Sequence, residues 1–472
     1  MNRHSFLFFM CICLGIFSSC NEPKKPTDAL GFVYEKITPV PFPDPNIPGF
    51  TFPQDSNTIN GWIKAGQNDE IYKHGWGIWA GLTMPTSQTS GGNVLLTYET
   101  WLTPTEILDS INNTGIKRSG RANLNKPHQL VHAMLKGAPV DDTSDSESVS
   151  YSPSAARYAI DNKIFLYTTL AKYAEEGRTQ IPDFPSDAIT IKPVFKLIEK
   201  SKLTADSIYA MASWHGPTAK IEAFPEKAWK SCIYVDLKNG GKGNGAQDMD
   251  CSTRTPENTY NLSDFIHYTL NAEDVYYYNK EFGLGAKVGD IALLVAMHVA
   301  TRETLRWTWQ TFWWAPDANN PPAPSSKAIA DMRPLTQLSG AASHYAMAVA
   351  YSMVYPDQPY TGGQSVGDTV IGFNPYLEAG FGPNVFTGSN SFVVKNGTKI
   401  MTNAGVRTNC MSCHAYAAYD VYNPSNGTPY SGDAYVDLSD TIFNGKLKLD
   451  FAWSVQGNVD TTGMAAFLAK QK

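Results

Sequence analysis

Cys410, Cys413 and His414, in the run Thr408-Asn-Cys-Met-Ser-Cys-His-Ala-Tyr416, constrain this chain more than any other feature. A Cys-x-x-Cys-His element reads as the attachment site of a c-type haem. Two thiols one helical turn apart can add to the two vinyl groups on neighbouring pyrroles of one porphyrin. The imidazole that follows is carried under the iron as its proximal ligand. The blander readings are a structural disulfide, half of a zinc site or a thioredoxin-like redox pair. Zinc would want a second Cys/His pair at similar spacing, and the sequence has none; the loop-like flanks lack the βαβ context of a redox pair. The expectation is one covalent haem c, held by Cys410 and Cys413 with His414 on the metal, and a chain that folds around it.

The N-terminus points to the same compartment. Arg3 and His4 precede an apolar run, Phe6 to Phe17, that is too short to span a bilayer. Phe17-Ser-Ser-Cys20 then resembles a bacterial lipobox with phenylalanine in place of the usual leucine, which makes Cys20 the lipidation candidate. Ordinary secretory cleavage is the alternative. Either way the chain leaves the cytoplasm, and bacterial covalent haem attachment also takes place outside it. Of the seven cysteines, Cys11 and Cys13 leave with the leader, Cys20 is the anchor and Cys410 and Cys413 hold haem. Cys232 and Cys251 remain, and in an oxidising compartment a leftover pair is most simply a disulfide. The net charge of −6 becomes one unit more negative when Arg3 leaves with the leader. That balance argues against nucleic acid and against a polybasic membrane patch.

Along the chain, residues 21–58 are rich in proline and read as a tether or a strap over the surface. Trp62, His74, Trp76, Trp79 and Trp101 mark an aromatic stretch around a strand-like Asn93–Tyr98. Thr103-Pro-Thr-Glu106 has the capping-box pattern and predicts a helix over 104–111. Asp141–Ser150 reads as an acidic loop, and 154–176 as one helix stopped by Gly177. Strands are expected over 188–197, 207–214 and 228–237, with Pro193 at an edge or bulge. Asn239–Asn261 is a solvated loop. Asp290–Glu303 and Trp307–Trp314 read as two strands joined near 304–306, with His298 on the face of Leu294 and Ala296. Ala341–Val354 is helix or buried strand, and a short helix closes the chain near Met464–Ala469. The fold class is α+β, mainly β with some helix: leader 1–19, Pro-rich tether 20–58, β-rich body 59–385 and a c-type haem-binding segment 386–472.

His74-Gly-Trp-Gly-Ile-Trp79, Glu99-Thr-Trp101, Phe184–Pro193, Met297-His-Val299 with Trp307–Phe312, and Asn409–His414 together resemble exported bacterial cytochrome c family proteins. These are large lipoproteins with a β-rich body and one haem motif near the C-terminus. The resemblance spans about residues 60–455 and implies haem binding and electron transfer, but no substrate.

For the sixth coordination position the candidates are Met464, 50 residues beyond His414, and His298. Met401, His344, His215, His267 and His74 are weaker. Three functions are carried forward. The first is an extracytoplasmic, membrane-anchored electron-transfer cytochrome with a redox partner protein and the lipid bilayer as its contacts. The second is a peroxidase- or oxygenase-like haem enzyme with an open distal side, His298 assisting. The third is a ligand-binding lipoprotein whose aromatic clusters form a cleft, with haem as an accessory.

Overall fold

The structure is a computed structural model that describes residues 37–112, 145–356, 358 and 367–471; the expected leader and Cys20 lie outside them. Strand Ile291–Thr301 is buried almost throughout, as its unbroken apolar run requires, and it is the axis of a seven-stranded antiparallel sheet. It pairs on one side with Ile189–Ile198 and on the other with Thr308–Trp314, which in turn pairs with Tyr345–Val349. His267–Thr269 continues the second side beside Ile291–Leu293. The turn at 304–306 falls where the sequence put it. Pro193 sits in an inner strand opposite Met297, two pairs from a bulge at Val295. The fold is α+β.

Asp145–Glu147 and Ser150–Tyr151 are strands, not the loop expected over 141–150. They pair with Ile189–Ile198 and match its lysines with acids across the ladder: Lys196 with Asp145 at 2.9 Å and Lys192 with Glu147 at 2.6 Å. Opposite charges facing each other across strands support a pairing that the polar sequence hides. The single helix expected over 154–176 is two, Pro153–Asn162 and Tyr167–Glu175, because Lys163 turns left-handed at φ 51°. The segment expected as a strand over 228–237 opens with a short helix, Glu226–Trp229, before strand Cys232–Asp236. Helix Pro104–Ile111 forms as expected, with Thr103 and Glu106 closing both bonds of the capping box. Of Ala341–Val354, Gly340–His344 is a 3₁₀ turn and Tyr345–Val349 the strand. Cys232 and Cys251 are disulfide-bonded, Cα atoms 5.1 Å apart.

The sheet separates two cores. One face meets helix Asn68–Leu82 and the small sheet of Ile208–Ala212, Cys232–Asp236 and Thr259–Asn261. Trp79 of that helix stacks on Phe312 at 4.4 Å and touches Tyr345 at 4.9 Å. The other face meets helices Pro153–Asn162 and Tyr167–Glu175 and the C-terminal segment with its cysteine motif. The described part of the proline-rich stretch is a strap. The rings of Phe50 and Phe42 rest on helix glycines Gly77 and Gly81, where a Cβ would lie 2.1 Å and 2.3 Å from them. Val40 accepts from Trp101 Nε1 at 2.8 Å, and Gln54 N donates to buried Glu303 at 2.6 Å. No helix among the described residues is long and apolar enough to cross a membrane.

Candidate functional site

Cys410–Ala415 is a short helix, and positions i, i+3 and i+4 put Cys410, Cys413 and His414 on one face of it. Asn409 starts the helix. Fully buried, it accepts from Ser412 N at 3.0 Å and donates through Nδ2 to the carbonyls of Ser352 (2.9 Å) and Val370 (2.8 Å). One side chain thus caps the helix and ties it to two strands' ends. Both thiols are free, Cys410 donating to the Gly372 carbonyl at 3.1 Å. Burial, with Glu378 adding to it, pushes Cys413 up to about 12 and Cys410 well above its ordinary value.

His414 is held by a chain of contacts that begins on the sheet. Arg302, at the end of the central strand, donates through Nε to the Asp450 carboxylate at 2.9 Å, and Phe184 N donates to the same oxygen at 2.9 Å. Asp450 and Phe451 are both left-handed, φ 46° and 67°, a conformation that aspartate tolerates and a bulky phenylalanine does not favour. Strain of this kind costs about 1–3 kcal/mol per residue and persists where surroundings impose it. Its effect here is to present the Phe451 carbonyl to His414 Nδ1 at 2.9 Å. The Nδ1–H donates to it, so Nε2 carries the lone pair, and no hydrogen bond to Nε2 is present among the described residues. Burial drives the imidazole down to about 3, against the raising effect of the Phe451 carbonyl, so the ring is neutral at pH 7. Trp309 packs on the ring with centroids 4.1 Å apart, and Trp453 Nε1 donates to the Cys413 carbonyl at 3.0 Å.

Cys410, Cys413, His414, Trp309, Phe451 and Trp453 line one apolar cavity that opens to solvent. One wall is the motif helix with Phe451 and Trp453, another is Leu377–Phe386, and the third is the sheet face carrying Lys192, His298, Ala300 and Trp309. The ladder sets that face: Lys192 lies opposite His298, and Ala300 opposite both Thr190 and Trp309. His298 shares the cavity with the motif; the bulge at Val295 keeps it on the face of Ala296 but puts Leu294, expected on that face too, on the other. Its Nε2 is taken at 2.5 Å by Glu378, whose other oxygen accepts from Asn374 N at 2.6 Å. Met464 does not line the cavity. It sits on the terminal helix Met464–Lys470, which packs against Tyr167–Glu175. Met401 is on an exposed hairpin. His344 faces Asp264, His215 and His267 bond backbone carbonyls, and His74 is buried between Tyr351 and Glu303; none is a wall of this cavity.

Residues the sequence reading missed are Phe451, Trp309, Glu378, Asn409 and Tyr430. Tyr430 lines the cavity, and its buried hydroxyl has no hydrogen-bond partner among the described residues. Among the described residues no three His, Cys, Asp or Glu side chains converge on a metal-sized space. The motif instead spreads two thiols and an imidazole along a wall, which suits a flat macrocycle better than a bare ion. The buried Tyr430 hydroxyl is a donor unmet among the described residues, and the apolar lining suits a porphyrin's body. On these grounds the residues present fit haem c. No protein-family model, curated protein or solved structure matches this chain.

Proposed function

We propose that the chain is an exported, lipid-anchored monohaem c-type cytochrome that passes single electrons. The observation that carries this reading is the setting of His414. Its Nδ1–H is fixed on the Phe451 carbonyl and its Nε2 lone pair is unspent, beside two thiols outside any disulfide on one cavity wall. A metal-binding histidine characteristically donates its other ring N–H to such a carbonyl, which fixes the tautomer and raises the basicity of the ligating nitrogen. Cys410 and Cys413 would hold haem c covalently and His414 would ligate it. When bound, the group supplies a one-electron couple whose potential follows axial ligation, burial and nearby hydrogen bonds. The chain's own residues act on those terms. Trp309 and Phe451 exclude water from the imidazole, the Phe451 carbonyl sets its hydrogen bond, and Tyr430 offers a phenolic donor. Lys192, paired with Glu147, puts a cation in the same wall. Acid–acetone extraction tests the reading: the colour should stay with the polypeptide, and haem released into the solvent refutes it.

A second reading, a haem enzyme, is favoured by one specific observation. Of the two distal candidates Met464 lies outside the cavity, and His298 shares the cavity with its Nε2 already engaged by the Glu378 carboxylate, which leaves only Nδ1 as a donor atom. An imidazole–carboxylate pair in an apolar cavity can hold and pass a proton at Nε2. A high-spin ferric spectrum that shifts with cyanide would move the conclusion to this reading; a low-spin spectrum indifferent to cyanide would exclude it.

A further inference from the structure

Between the cavity-lining residues Phe386 and Thr408 the chain makes an excursion, the hairpin of Phe392–Lys395 and Thr398–Met401. Asn396 and Gly397, at φ 51° and 75°, form its two-residue turn, the conformation that matches strand twist. Its root is rigid. Asp433, fully buried, accepts from Ser389 Oγ at 2.6 Å, Asn390 N at 2.8 Å and Ser391 Oγ. Above that root every residue of both strands is exposed. The register puts Phe392, Val394, Lys399 and Met401 on one face and Val393, Lys395 and Ile400 on the other. The five apolar side chains are 36–64 % exposed, and Lys399 covers part of the Phe392 ring at 4.2 Å. An uncovered two-stranded ribbon is marginal in water, and a ribbon apolar on both faces is built to be covered.

Its charge narrows what covers it. From Ala379 to Tyr419 there is no Asp or Glu, while Lys395, Lys399 and Arg407 stand in that stretch, in a chain of 44 acidic and 38 basic residues. All three cations are exposed and no ion pair to them is present among the described residues. The facing acid, Asp433, is spent on the root. A bilayer is a poor occupant because the tip is Lys-Asn-Gly-Thr-Lys and would have to enter first. A second copy docked face to face would bring these cations against each other.

We propose that this hairpin is the docking element for an acidic electron-carrier protein. Its ribbon would seat in the partner's apolar patch, and Lys395, Lys399 and Arg407 would face the surrounding carboxylates. This rests on the haem reading above, and it places the partner on an extension of two of the cavity's walls.

The test uses purified mature protein and, as probe, a pre-reduced acidic plant-type ferredoxin, with haem reduction followed by stopped flow. Val394→Glu with Ile400→Glu should slow reduction about tenfold or more; Lys395→Glu with Lys399→Glu should slow it and flatten its dependence on ionic strength. Reduction by dithionite alone should be unchanged in both variants, because the cavity is untouched. Equal ferredoxin rates in parent and variants overturn the proposal. So does hairpin-dependent flotation of the Cys20→Ser protein with anionic vesicles, which would make the occupant lipid, or a dimer in sedimentation that the variants dissolve. Covalent haem is measured first. A colourless parent overturns both readings; a coloured parent with equal rates overturns the docking alone.

Discussion

The central sheet and the C-terminal segment hold their shape by different means. In the sheet, strand Ile291–Thr301 has a ladder partner on each side, and its position follows from many equivalent bonds. From 386 onward regular elements are short, and single side chains set the geometry. Asn409 caps the motif helix, Asp433 roots the hairpin, Asp450 aims the Phe451 carbonyl and Trp453 pins Cys413. A ladder shares the loss of any one residue among its neighbours, whereas a point clasp has no neighbour to share it. One region therefore supplies a stable wall, and the other supplies placement that single substitutions can undo.

The largest expected effect breaks the comparison at its functional end. Replacing Cys410 and Cys413 together with serine should abolish covalent haem while leaving the far-UV circular dichroism of the body in place. Loss of both together would mean that the sheet is not independent of the motif. Asp450→Ala comes next. It strips Arg302 of its buried partner while Asp183 stays at 3.2 Å, so the cost stays below the roughly 3–5 kcal/mol of a wholly unpaired buried charge, and it frees the Phe451 carbonyl. Urea unfolding should show that loss, and the haem protein should show an altered potential. A variant with parental potential would separate the clasp from His414. In the body, Cys232→Ser with Cys251→Ser should cost about 3 kcal/mol in the chain-entropy model, since the disulfide spans 19 residues. Covalent haem content should be unaffected. Asn409→Ala removes a cap of about 1 kcal/mol and leaves two buried carbonyls unmet at about 1–3 kcal/mol each unless water reaches them. It should lower the yield of attached haem, which the disulfide variant should not.

The same contrast explains what the sequence made legible. The helical-turn spacing of Cys410, Cys413 and His414, the capping box at Thr103–Glu106 and the pair of strands ending at Trp314 carry their reasons within a few residues, and each is readable as local structure. The Cys232–Cys251 bond was readable by elimination. Phe451 was not, because its part is played by a backbone carbonyl at a strained φ, and no side-chain pattern encodes that. Glu378 meets His298 across 80 residues, and the two acids of Asp145–Glu147 look like loop until their lysine partners are seen. Helix Asn68–Leu82 is hidden in the sequence because its tryptophans mask the period and Gly77 and Gly81 serve the strap rather than the helix.

The smallest effect lies in the sheet, at a place where it too depends on few groups. Lys196 faces two carboxylates, Asp145 at 2.9 Å and Glu226 at 2.8 Å, all three largely buried. One cation cannot neutralise both. Burial raises Glu226 most, Lys196 opposes the shift and Asp145 reinforces it, and the result is about 8, up from 4.5. The folded protein therefore keeps a proton that the unfolded chain releases. Stability from this group is complete below about pH 4.5 and is lost as pH rises through 8. The clean window is pH 7 to 8, because His414, depressed by burial, acts with the opposite sign only where an unfolded histidine titrates, below about 6.5. Across that single unit the parent should lose at most about 1.4 kcal/mol. Glu226→Gln keeps an acceptor for Lys196 and removes the proton, so its urea midpoint should stay flat over the same interval. Parallel slopes in parent and variant would show that Glu226 ionises normally and that the triad is as evenly supported as the ladder around it.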